Sequence, residues 1–176
     1  MHDNETARLA NVFGAAALAA AGAMMSAAAA VTEGGLSAAA ALVTLASEPG
    51  IGVTEVGRRV GLSQPGATRL LEGLAERGLV TSEPEPGGRT VALRLTAGGT
   101  EKARLILAER ERALASLLEP LDDRARRELD AALSLVLERL TDQGASAYRT
   151  CRLCDEQACT ATAPCPVDQA GRRRPC

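Results

Sequence analysis

Four thiols stand close together near one end of this 176-residue chain: Cys151-x-x-Cys154, four residues, Cys159, five residues, then Cys165 followed by Pro166. A four-cysteine zinc site needs its thiolates at tetrahedral reach, and a Cys-x-x-Cys pair supplies two from one turn. Cys151, Cys154, Cys159 and Cys165 are therefore the candidate metal ligands, with zinc as the candidate cofactor. The second pair is spread wider than in most zinc ribbons, so redox disulfides and an inert tail stand beside that reading. Iron-sulfur ligation has no separate support. The segment is rich in Ala, Thr and Pro and reads as loop-like, to be ordered by a cross-link or a metal. Arg152, Arg172, Arg173 and Arg174 make it basic, which is expected to lower the thiol pKa values. The last residue, Cys176, has no assigned role. A redox Cys-x-x-Cys usually opens a helix packed on a sheet, whereas this one trails a helical chain.

A second constellation offers hydrogen bonds and charge. Ser63, Gln64, Pro65, Thr68 and Arg69 sit at the start of a helical pattern whose apolar positions are Ala67, Leu70, Leu71 and Leu74. Gln can pair bidentately with adenine and Arg with guanine, while Ser and Thr hydroxyls suit phosphate oxygens. Arg89, at the tip of an expected hairpin, could enter a narrow minor groove.

The surrounding pattern holds these residues in place. Thr54 can cap a short helix with Val56, Gly57 and Val60 inward, and Glu55 suits the positive end of its dipole. Gly61 allows a left-handed turn, Leu62 follows as a buried plug, and Ser63 caps the next helix with Pro65 in its first turn. Gly78 closes that helix. Val80 to Glu83 then pairs with Thr90 to Leu95 across a turn at Pro84 to Gly88, with Val91, Leu93 and Leu95 facing inward. Helix, tight turn, helix and hairpin form the layout of a winged helix-turn-helix. Gly57 leaves room for the second helix to cross the first.

Long helices flank this unit. Glu5 to Val31 reads as one helix dominated by alanine, the best helix former. Val12 to Thr32 carries no charge, but Ala barely favours lipid and no positive cluster precedes it, so a soluble helix is expected and no membrane span. Ser37 is expected to cap a second helix that stops at Pro49 and Gly50. Gly99 to Glu119 and a helix capped by Asp122 or Asp123 complete the chain body. In the latter, Leu129, Leu133, Val136 and Leu140 form a heptad-like stripe that fits an interhelical seam or the chain's own core.

Composition excludes other functions. The one histidine, His2, lies beside the terminus, so no Ser/His/Asp or Cys/His pair can sit in a core, and no enzyme is expected. Phe13 and Tyr148 are the only aromatic residues, too few to stack single-stranded bases. The net charge is −2, so duplex binding must come from a local patch. Residues 54–95 hold six arginines against five glutamates, a local charge of +1, which is thin for a phosphate-binding surface.

Leu62-Ser63-Gln64-Pro65, Thr68-Arg69-Leu70-Leu71, Leu74-Ala75-Glu76-Arg77-Gly78-Leu79-Val80 and the run from Arg89 to Gly98 together resemble the MarR family of regulators. The match extends from about Gly35 to Leu140. The resemblance implies a mainly α fold, with a two-stranded wing and long N- and C-terminal dimerisation helices. It divides the chain into a dimerisation helix (1–35), a winged helix-turn-helix (36–98), C-terminal dimerisation helices (99–146) and a cysteine-rich tail (147–176). It also implies a cytoplasmic homodimer on a palindromic duplex operator, usually a repressor relieved by a small-molecule effector or oxidant. Two departures stand out. Thr81, Ser82 and Glu83 replace basic residues common after the Gly-Leu-Val stretch, and Pro86 and Gly87 stand where an acid is common. A weaker affinity or a looser wing is expected. The competing reading is a thiol redox or zinc-binding adaptor that does not bind DNA.

Overall fold

The computed structural model describes residues 2–84, 91–142 and 146–172. A sequence rich in alanine lets helix α1 (His2–Ala30) extend over 29 residues. Thr32 accepts from Gly35 N–H at 3.1 Å and turns the chain. Helix α2 (Gly35–Ser47) follows, three residues earlier than a Ser37 cap would have started it, and Gly34 caps it without a side-chain bond. The cause is the turn itself: Gly35 takes a left-handed φ of 63°, which only glycine adopts without cost. Residues Ala38 to Leu45 of α2 are all buried, so this helix is the centre of the core.

Helix α3 (Val53–Val60) begins on Gly52, which places Thr54 inside the first turn and not at the cap. Gly61 ends it with a φ of 80°, and the N–H groups of Gly61 and Leu62 both donate to the Gly57 carbonyl, at 2.9 and 2.8 Å. Leu62 is half-buried and not the expected buried plug. Helix α4 (Gln64–Glu76) starts after Ser63, whose backbone is extended but whose hydroxyl makes no capping bond. Pro65 lies in the first turn, where no donor is lost.

The crossing of α3 and α4 depends on Gly57. A Cβ there would stand 2.9 Å from the Ala67 Cβ, closer than such carbons approach. Gly57→Ala therefore forces the two helices apart, at about 1–3 kcal/mol by the usual cost of overpacking. A thermal melt checks it, and an unchanged Tm would contradict the close packing.

Strands β1 (Val80–Pro84) and β2 (Val91–Leu95) pair antiparallel, with Val80 opposite Leu95 and Pro84 opposite Val91. The expected tip, including Arg89, lies outside the described residues. The inward alternation is corrected at two positions: Val91, expected inward, is exposed, and Ala92, expected outward, is buried beside Leu93. Leu93 is also bonded on its outer edge, accepting from Gly50 N–H at 2.8 Å and donating to the Ile51 carbonyl at 3.2 Å. The middle of β2 is thus covered all round, while Val91 reaches past the core.

Helix α5 (Ala97–Leu118) is capped by Thr96, whose hydroxyl accepts from Gly99 N–H at 3.0 Å and donates to the Gly78 carbonyl at 2.7 Å. Helix α6 (Asp123–Asp142) is capped by Asp122, whose carboxylate accepts from Ala125 N–H at 2.8 Å. Helix α1 packs on α5 and α2. In α6 the stripe is uncovered within one chain: Leu129 and Val136 are half-buried, and Leu133 and Leu140 are exposed. On α1, Leu9, Val12, Phe13 and Leu18 are exposed as well. By length and composition, Asn4–Ala30 is a helix long and apolar enough to cross a membrane.

The tail is not the loop its composition suggests. It folds as three short helices, α7 (Ala147–Cys151), α8 (Glu156–Thr160) and α9 (Pro166–Arg172). Asp155 caps α8 by accepting from Ala158 N–H at 3.0 Å. Helix α9 lies on α6, and α7 lies on α3. Leu153, Val167 and Ala170 are buried, and Leu153 joins the main core. Three buried apolar side chains order a segment that polar composition alone would leave loose.

Candidate nucleic-acid interface

Helix α4 hides one side and shows the other. Ala67, Leu71 and Leu74 are buried against the core. Ser63, Gln64, Pro65 and Arg69 are exposed, and Thr68 is half-buried. Gln64, Pro65, Thr68 and Arg69 line one surface concavity at the N-terminal half of the helix. The Thr68 hydroxyl donates to the Gln64 carbonyl at 3.0 Å, so it is left only as an acceptor. That removes Thr68 as a donor to phosphate in this rotamer.

The local cations are less available than their number suggests. Arg58 donates to the Glu55 carboxylate at 2.8 and 2.5 Å. Arg59 donates to Glu55 at 2.6 Å and is also paired with Glu48. Arg94 pairs with Glu83 across the hairpin at 3.2 Å. Arg77 donates to the Gly73 carbonyl at 2.8 Å. Among the described residues Arg69 has no ion-pair partner, so it is the cation left to meet a phosphate or a base.

The two arginines bonded to Glu55 hold its carboxyl down to about 2, Arg58 contributing most. A carboxyl lowered from 4.5 stabilises the fold fully above about 4.5 and loses that contribution as pH falls through 2. The site is solvent-exposed and screened, so the effect is small. Glu55→Gln should melt slightly below the parent chain at pH 7, with the gap closed near pH 2. A gap that persists in acid would contradict this assignment.

The tail reaches α3, a contact that sequence reasoning missed. The Tyr148 ring lies under the Arg58 and Arg59 guanidiniums, 4.2 and 4.4 Å from its centroid. The Arg149 guanidinium stands 3.5 Å from where a Gly61 Cβ would be. The one available hint was Tyr148 itself, one of two aromatic residues in the chain and three positions before Cys151.

Cys151, Cys154, Cys159 and Cys165 all line one cavity of about 450 Å³, bounded also by Tyr148 and Arg59. All four are free thiols. Neighbouring sulfurs act on one another's ionisation in series, Cys151 with Cys154, Cys154 with Cys159, and Cys159 with Cys165. Among the described residues, no group of three or more His, Cys, Asp or Glu side chains is arranged as it stands to hold a metal ion. The expected lowering of thiol pKa values by arginine is corrected for two of them. Cys154 is raised, first by its bond to Cys151 and then by burial, and burial with neighbouring thiols pushes Cys159 up to about 11. Cys151 is lowered, by the hydrogen bond from Cys154. Arg173, Arg174 and Cys176 lie outside the described residues.

The comparisons agree on one architecture. A family model for the MarR family matches residues 35–89. The chain is similar to PcaV, a transcriptional regulator from Streptomyces coelicolor, at 27% identity over 74% of this chain and 95% of that one, with a TM-score of 0.53. It shares its fold with a multiple antibiotic-resistance repressor from Listeria monocytogenes 4b F2365, at 20% identity over 80% and 96%, TM-score 0.60. It shares it also with YusO from Bacillus subtilis, at 18% identity over 77% and 96%, TM-score 0.65. No curated protein matches the chain. Members of this family are transcriptional regulators and not enzymes. With α3, α4 and the β1–β2 wing in the order seen in those regulators, between helices that flank them on both sides, residues 35–89 match the MarR family and the chain has the winged helix-turn-helix fold of MarR-family regulators.

Proposed function

We propose that the chain is a cytoplasmic homodimeric repressor that reads a palindromic duplex operator through α4. The observation that carries this reading is the exposed edge of α4, where Gln64, Pro65 and Arg69, without an ion pair among the described residues, share one concavity while Leu71 and Leu74 of the same helix are buried. A helix presented this way enters the major groove with its N-terminal residues against base edges. Gln64 reads an adenine, Arg69 a guanine or a phosphate, and Ser63 contacts the backbone. Arg89 is assigned to the minor groove. The uncovered apolar faces of α1 and α6 serve the dimer. Repression is supported by the likeness to the multiple antibiotic-resistance repressor of Listeria monocytogenes.

With so few free cations, affinity leans on specific contacts more than on phosphate attraction, and the salt dependence is shallow. Selection from a random duplex library tests the proposal. An inverted repeat is expected, its half-site centres one helical turn, about 34–36 Å, or a multiple of that apart. Failure to enrich any repeat would overturn DNA reading and favour the adaptor.

A further inference from the structure

The tail brings four thiols to one cavity at the back of the reading head. We propose that Cys151, Cys154, Cys159 and Cys165 are the ligands of a single zinc ion that fastens the tail to α3. Three observations meet here. The thiols line one cavity and none is tied up in a disulfide, so closing a tetrahedron means drawing together the short helices that carry them. The Cys154 N–H donates to the Cys151 carbonyl at 2.8 Å, a turn that presents both sulfurs of the Cys-x-x-Cys pair on one side. Arg110 of α5, whose charge acts on Cys154, has a buried Nε with no hydrogen-bond partner among the described residues. A metal-bound thiolate at Cys154 supplies the missing acceptor, as outer-shell donors commonly do around metal sites.

On binding, four thiols lose four protons to solvent and one Zn²⁺ enters, leaving a centre of net charge −2 beside the Arg110 cation. Four protein ligands fill the tetrahedron and leave no open position, so the site is structural and not hydrolytic. What it holds is α7. Cys151 ends that helix, and Tyr148, one turn earlier, is the residue stacked on Arg58 and Arg59 of α3. Closing the site orders α7 and keeps that stack in place. None of this depends on what α4 binds.

Elemental analysis of full-length protein, purified without chelator, tests the site directly. The expected content is about one zinc per chain, unchanged by Cys176→Ser and lost in Cys154→Ser and Cys165→Ser. Arg110→Gln keeps the four ligands and weakens zinc retention against a competing chelator by about 10- to 100-fold. Cobalt titrated into the reduced apo-protein should give the spectrum of a tetrahedral four-thiolate centre at one equivalent. The chain has one Tyr and no Trp, so tyrosine emission reports α7 alone. It should change on chelation, recover with zinc, and ignore zinc in Cys154→Ser. Circular dichroism separates loss of the site from loss of the fold in each variant. Reduced protein that takes up neither zinc nor cobalt would overturn the proposal, as would native disulfides among the four cysteines. Iron with acid-labile sulfide would overturn the zinc assignment.

Discussion

Arg69→Ala lowers affinity for the selected operator by about 5- to 150-fold, which corresponds to the 1–3 kcal/mol of one good base contact. The reason lies in what the other arginines are doing. Arg58, Arg59 and Arg94 are each paired with a carboxylate, and Arg77 is turned back onto its own helix. Arg69 is exposed and without an ion-pair partner among the described residues, so no neighbour compensates for its loss. Its side chain contributes nothing to the buried face of α4, and the variant should keep the parent's circular dichroism and Tm. Fluorescence anisotropy with labelled duplex reads the effect. If Arg69 meets a phosphate, the loss is uniform across sequences and the salt slope falls by about 1; if it meets guanine, discrimination at that base pair relaxes. Unchanged affinity would remove Arg69 from the interface.

Leu133→Glu combined with Leu140→Glu should convert the proposed dimer to a monomer. Both side chains are exposed in the single chain, 40% and 46% respectively, and lie on one stripe of α6. Burying a leucine fully contributes about 1.5–3 kcal/mol, and each appears twice in a symmetric interface. A carboxylate in the same place adds a desolvation cost. Light scattering after gel filtration should show a dimer for the parent and a monomer for the double variant. Operator affinity falls with it, because a monomer engages one half-site only. A double variant that remains dimeric would place the interface elsewhere, with Leu9, Phe13 and Leu18 of α1 as the exposed alternative.

Some of this fold is written in single residues. Gly61 needs a positive φ, Gly57 needs to lack a Cβ beside Ala67, and Pro65 needs a first-turn position; each requirement is local, so each is readable. The start of α4 and the split between its leucine side and its polar edge follow directly. Helix starts were less legible, because Gly34 and Gly52 displaced Ser37 and Thr54 through turn geometry. The Val91 error arose from an outer-edge pairing of Leu93 with residues 50–51, a tertiary contact that alternation cannot encode. The cation count misled for a similar reason. Arg59 is bound by Glu48, 11 positions earlier, and only the α2–α3 packing brings the two together. The tail was least legible of all. Its order comes from Leu153 entering the core and Tyr148 reaching α3, and its thiol chemistry is governed by neighbouring sulfurs more than by arginines.

The most direct measurement is a side-by-side sequence selection with the parent chain and Gln64→Ala. A helix lying in the groove by its N-terminal edge loses the preference for one base pair, and for its symmetry mate in the other half-site, while the rest of the motif stays. Identical motifs from the two proteins would mean that α4 does not read the duplex.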